Sequence, residues 1–215
     1  MADRLRRRPA KDDSGLTLIE LIVALGLFSL FLSLLVGGVV AFTRVTTEAR
    51  LDAQTSSAVG IAMKRVERSA RYANSINYAG VVSGKSYVEW RVDAVSAPAG
   101  VTTCYQLRYL PTDGTIALRS WSASDAPSSA TWSVILSGVR GAATTSYPFL
   151  TISAGANSNY QGLAMTVDAG QSSTAGTSTS STVYAKNTTP DSTANAMDAS
   201  GQSRDKVCTG AGFRP

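Results

Sequence analysis

Histidine is absent from all 215 residues. That removes the commonest general base, the Ser-His and Cys-His nucleophile pairs and the commonest metal ligand. Cysteine is scarce. Cys104 and Cys208 are the only two, so no CxxC zinc or redox motif exists. Charge is thin at 16% of residues, and the carboxylates show no metal-ligand spacing. Asp191, Asp198 and Asp205 recur every seventh residue, but within small polar sequence. No metal and no cofactor is therefore expected, and enzymatic chemistry is not. With apolar residues concentrated near the N-terminus, the remainder is rich in Ser, Thr, Ala and Gly. It can bury a modest core, as a sheet layered on a helix rather than a thick enzyme fold.

One string mimics a nucleotide site. Ala79–Ser86 (AGVVSGKS) fits a loosened P-loop pattern with Ala in place of the first Gly. A P-loop follows a strand and opens a helix, so that helix N–H groups face phosphate. Here a helical pattern precedes and an alternating strand follows. Gly80 and Gly84 read instead as turn glycines between the helix and the first strand.

The net charge is +5, unevenly placed. Residues 1–15 carry Arg4, Arg6, Arg7, Arg8 and Lys11 against Asp3, Asp12 and Asp13. An apolar run from Leu16 to Phe42 follows at once, and roughly 20 residues suffice to cross a bilayer core. A basic flank before such a run keeps the N-terminus cytoplasmic and sends the rest outward. Topology thus accounts for Arg6-Arg7-Arg8 without nucleic acid. Within the run Glu20 is the single charge. A central, unpaired charge in a membrane helix costs about 2.5–3.5 kcal/mol on insertion scales. A cleaved signal peptide, with Val39-Val40-Ala41 before Phe42, has a shorter apolar core of about 7–15 residues. An uncleaved signal anchor fits the length and orientation, but gives Glu20 no purpose.

The string Gly15–Leu21 (GLTLIEL) resembles the processing motif of type IV prepilins and of the pseudopilins of type II secretion and DNA-uptake systems. That pattern is a short basic leader ending in Gly, a hydrophobic first mature residue, then Thr-Leu-Ile-Glu and a long apolar stretch. Gly15, Thr17, Leu18, Ile19, Glu20 and Leu21 match; Leu16 stands where Phe is commonest. The resemblance is specific over residues 12–43 and diffuse beyond. It implies cleavage by a prepilin peptidase between Gly15 and Leu16, N-methylation of Leu16, and a fibre of such subunits raised from an inner-membrane assembly platform. Glu20 would meet the freed Leu16 amine of a neighbour. A buried charge is tolerable when paired, and the pairing fixes the axial stagger. Many major pilins carry a proline near Gly37; here none stands between Pro9 and Pro98. Gly37-Gly38 is read either as a softer stretch of helix or as a small-residue contact. The helix end at residues 58–76 resembles J/W-type minor subunits, and Glu20 excludes the tip subunit type that lacks the glutamate. The cysteines would then lie on the exported side, where disulfides persist. The expectation is a Cys104–Cys208 bond, with two buried thiols as the alternative.

Helical patterning continues past the membrane. Val59, Met63, Val66, Ala70, Ala73 and Ile76 form an apolar stripe, with Lys64, Arg65, Glu67, Arg68 and Arg71 on the other face. Those basic residues read as a solvated face, so nucleic acid is not an expected partner. Alternating runs follow at 86–92, 103–110, 115–121, 132–139, 149–154, 163–169 and 181–187, with Pro111–Gly114 a turn between the second and third. Residues 171–182 and 188–205 read as loops, and Asn187-Thr188-Thr189 is a glycosylation triplet. The expectation is therefore an α+β, pilin-like fold, a long N-terminal helix packed on an antiparallel sheet. Its segments are a leader (1–15), a transmembrane and assembly helix (16–43), an amphipathic continuation (44–78), a sheet domain (79–187) and a flexible tail (188–215). Its function would be that of a minor pilin or pseudopilin in the inner membrane and then a surface fibre, contacting lipid and other subunits. The alternative is a signal-anchored surface protein or adhesin that does not polymerise.

Overall fold

A computed structural model describes residues 17–155, 158–170 and 176–215. The leader, Gly15 and Leu16 lie outside the described residues. The fold is α+β: one long helix, α1 (Leu18–Ala70), followed by antiparallel strands. The described residues up to Thr47 and those from Glu48 onward form two compact units.

The first unit is the apolar part of α1. Every described residue from Thr17 to Thr47 is exposed, including Leu21, Phe28, Leu35 and Phe42. Apolar residues occur on all sides of this helix, as in a membrane span rather than a surface helix with one greasy stripe.

In the second unit α1 becomes one-sided. Thr55, Val59, Ala62, Val66 and Ala70 are buried, at spacings of three and four. The expected helix end near Ile76 is corrected to Ala70. Ser75 and Ile76 form a strand instead, β1, paired with Arg91 and Trp90. Buried Ala73 and Ile76 continue the apolar stripe beyond the helix, which is why periodicity alone runs the helix too far.

The expected single sheet is two. The first contains β1, β2 (Gly80–Val82), β3 (Lys85–Val92), β4 (Thr103–Leu110), β5 (Thr115–Ser122) and β6 (Ser133–Ser137). Its order is β1-β3-β4-β5-β6, with β2 also on β3. The second contains β7 (Val139–Arg140), β8 (Phe149–Ile152), β9 (Gly162–Ala169) and β10 (Thr177–Tyr184), in the order β10-β9-β7 with β8 also on β9. Residues 177–182 are therefore strand, not loop. Eight consecutive residues of β10 pair with β9, from Thr177 opposite Ala169 to Tyr184 opposite Gly162. Backbone pairing, which small polar side chains do not prevent, decided this segment. One core cluster joins helix and both sheets: Val59 and Val66 of α1, Val88, Trp90, Leu107 and Ile116 of the first sheet, Phe149, Leu163 and Val167 of the second.

The P-loop-like string is a hairpin. Gly80 lies in β2 and not in a turn, another correction, while Ser83 and Gly84 both adopt positive φ, at 50° and 73°. Two central residues of that kind make the tight turn that matches strand twist. No helix N-terminus follows, so nothing here cradles phosphate.

Residues 188–215, expected as a flexible tail, contain no helix or strand and yet are tied to the first sheet's outer face. The physical reason is side-chain hydrogen bonding in place of a ladder. The Asn77 amide donates to Val207 O at 2.9 Å and accepts from Val207 N at 2.9 Å, as a strand neighbour would. Tyr78 N donates to Ser203 Oγ at 2.8 Å. Cys104 of β4 is bonded to Cys208, across a sequence separation of 104. Under this strap Glu89 and Arg214 form a buried ion pair at 2.7 Å. Gln106 and Asn77 complete the carboxylate's partners.

Candidate functional site

The start of α1 is built by its own first residues. Thr17 precedes the helix, and its carbonyl accepts the first helical bond from Leu21 N at 3.2 Å. Its hydroxyl donates to Glu20 Oε2 at 2.8 Å and accepts from Glu20 N at 3.4 Å. Thr17 N donates back to the same carboxylate oxygen at 3.0 Å. This is a capping box: a Thr at the cap and a Glu three positions on, each satisfying the other's orphan N–H. The pattern T-x-x-E was on view in the sequence, where it was read only as a processing motif.

Glu20 is thus held at the helix N-terminus, where negative charge is favoured by the helix dipole. It stands alone among apolar neighbours, with Ile19, Val23, Ala24 and Leu27 alongside. No cation approaches it among the described residues. Its remaining oxygen lone pairs are open to a donor from outside.

Further along, every hydroxyl of the apolar stretch is satisfied within the helix. Ser29 donates to Leu25 O at 2.8 Å, Ser33 to Leu30 O at 2.8 Å, Thr43 to Val39 O at 2.9 Å and Thr46 to Phe42 O at 2.9 Å. Back-bonding of this kind lets polar residues sit where no water can reach them. The corresponding signal in the sequence, a Ser or Thr three or four residues after an apolar position, is too common to identify this beforehand. Gly37 and Gly38 lie within the unbroken helix, and a Cβ added to either would meet nothing within 4 Å. In this chain alone neither glycine is needed for space.

Residues 10–36 match a family described as the prokaryotic N-terminal methylation motif. The chain carries a prepilin-type methylation motif. The match embraces Gly15, Leu16, Thr17 and Glu20 and supports a type IV pilin-like precursor. Such a motif implies processing by a prepilin peptidase and other pilin subunits as partners, and its family is structural rather than enzymatic. Together with the apolar part of α1, which is long enough to cross a membrane, the motif suggests membrane anchoring. No curated protein and no solved structure matches the chain.

The other sequence features fall away from this region. Glu67 and Arg71 form their ion pair on the solvent side of α1's end. Asn187 of the glycosylation triplet spends its amide hydrogens on Tyr72 O at 3.0 Å and Ser96 Oγ at 3.1 Å, and Thr188 is buried. A glycan on that nitrogen would replace one of these hydrogens and so break at least one of the two bonds. Among the described residues, Asp191, Asp198 and Asp205 assemble no group fit for a metal. Asp198 instead accepts from Ser200 and Gln202, which hold its carboxyl below the usual value.

Proposed function

We propose that this chain is a minor pilin or pseudopilin, cleaved after Gly15, methylated at Leu16 and polymerised through α1. The observation that carries the reading is Glu20: one carboxylate, at the head of the part of α1 that is otherwise apolar on every side, inside a matched methylation motif. An exposed apolar helix needs lipid or other helices around it. In the bilayer, Thr17 shields the carboxylate from within the chain. In the fibre, the Leu16 amine of a neighbouring subunit supplies the missing cation, and any other stagger leaves Glu20 unpaired among apolar side chains. Gly37-Gly38 gives the helix a stretch that weakens it by about 1 kcal/mol per glycine against Ala. That softening would allow the helix to extend on leaving the bilayer for the fibre. The basic residues ahead of Gly15 keep the leader on the cytoplasmic side, where the peptidase and an assembly platform act.

Mass spectrometry of the mature protein tests processing. A chain that begins at methylated Leu16 supports the proposal; one that begins at Met1 or Phe42 rejects it. Glu20→Ala tests assembly: processing should survive and incorporation into fibres should fall at least tenfold. Undiminished incorporation would refute the role in stagger. The second reading, a signal-anchored surface protein or adhesin, predicts a mature chain never found in a fibre.

A further inference from the structure

A cleft of about 310 Å³ opens in the second unit, between the end of α1 and the inner face of the first sheet. Val92, Tyr105 and Leu118 form its floor, and Tyr72 and Pro98 flank it. Tyr105 is fixed in place by stacking on Trp90, ring centres 5.6 Å apart and planes within 7°. Ser120, near the end of β5, is exposed where it lines the cleft. Its size lies at the small end of ligand pockets, whose volumes run from about 300 to 1,000 Å³.

Arg65 and Arg68 stand at its edge, three residues apart on one helix face and hence neighbours. Neither makes an ion pair or hydrogen bond with any described residue, in contrast to Arg71, Arg91, Arg119 and Arg214. No carboxylate lines the cleft; its remaining side-chain polar groups are the hydroxyls of Ser69, Tyr72, Ser96, Tyr105 and Ser120. Two unpaired guanidiniums over an apolar, aromatic floor select a ligand with both halves. The anion is a planar carboxylate, which a guanidinium holds by paired bonds. The body is apolar or aromatic. A phosphate, with its greater charge and hydration, gains nothing from such a floor.

We propose that this cleft binds a small organic carboxylate with an aromatic body. The site lies wholly within the second unit, so it stands independently of processing and assembly.

The test is calorimetric titration of the detergent-solubilised full chain with 3-phenylpropionate. Its amide, 3-phenylpropionamide, and inorganic phosphate are titrated in parallel. Saturable binding is expected, at least tenfold tighter than for the amide or phosphate. Arg65→Gln/Arg68→Gln should weaken it at least tenfold, and Arg65→Lys/Arg68→Lys, which keeps the charge, should weaken it less. Ser120→Trp, which fills the cleft from an exposed position, should abolish it while the melting temperature stays the same. Equal binding of the amide, tighter binding of phosphate, indifference to Ser120→Trp or no saturation at all would each overturn the proposal. So would self-association that the double Gln variant abolishes in the absence of ligand binding, since the occupant would then be another copy's acidic residue.

Discussion

Glu89 accepts hydrogen bonds from Arg214 at 2.9 and 2.7 Å, from Asn77 at 2.9 Å and from Gln106 at 2.7 Å, and no part of it is exposed. Gln106 in turn accepts from Arg119 at 2.8 Å, and Arg119 donates to Gly212 O at 2.7 Å. Removing one member of a buried pair strands the other, at a cost of about 3–5 kcal/mol. Glu89→Ala should therefore lower the unfolding free energy by roughly that much, measured by urea denaturation in detergent. Glu89→Leu combined with Arg214→Met should recover part of the loss, because no charge is then left unpaired, while the buried Asn77 and Gln106 amides still each lose an acceptor. Tyr109 makes a different prediction. Burial, helped by the neighbouring Tyr147, pushes its hydroxyl up to about 12. The unfolded chain gives up this proton first, near the ordinary tyrosine value of about 10. The stability it contributes is thus complete below pH about 10 and drains away as pH rises toward about 12. Burial raises Tyr87, Tyr105 and Tyr147 as well. Thermal melts should show a steep alkaline fall over that range, made shallower by Tyr109→Phe, which also loses the 2.6 Å bond to Gly141 O.

Among the elements, the Cys104–Cys208 bond closes a loop of about a hundred residues, for which chain entropy gives about 4–5 kcal/mol. A Cys104→Ser/Cys208→Ser variant should lose about 2–5 kcal/mol in the same denaturation experiment, and reductant should do the same to the native chain but not to the variant. Gly114, in the turn between β4 and β5, has φ of 58°, and an added Cβ would lie 2.8 Å from Val139 O. Gly114→Ala should cost at least about 1 kcal/mol, from the strained backbone as well as the clash. Most elements were legible in advance for a simple reason. β3, β4, β5 and β9 alternate because one face of each meets the core, and α1's stripe repeats at helical spacing. The same logic hid the strap. Glu89, Gln106 and Arg119 occupy the polar positions of alternating strands, so pattern alone presents them as a solvent face. Their partners include the distant residues Gly212–Arg214, invisible to local periodicity. β10 was half missed because Ser and Thr carry no apolar signal. At the head of α1, Thr17 and Glu20 could be located from the sequence, but their mutual capping needed the geometry.

At the scale of the molecule, α1 serves two solvents. Its residues to Thr47 bury nothing in the chain's own body, whereas Val59 to Ala70 sit in the core of the second unit. The chain should stay in the membrane pellet through alkaline carbonate washing, as judged by immunoblot; release into the supernatant would contradict anchoring by α1. The strap has a further consequence, one of timing. Strands β3 to β5 are made first, but the partners of Glu89, Asn77 and Cys104 are Arg214, Val207 and Cys208, which lie 125, 130 and 104 residues further along the chain. Until then a charged patch in mid-sheet is wet and half-formed. The body of this protein thus cannot mature progressively from its front, because its closing step waits for the strap residues to be made.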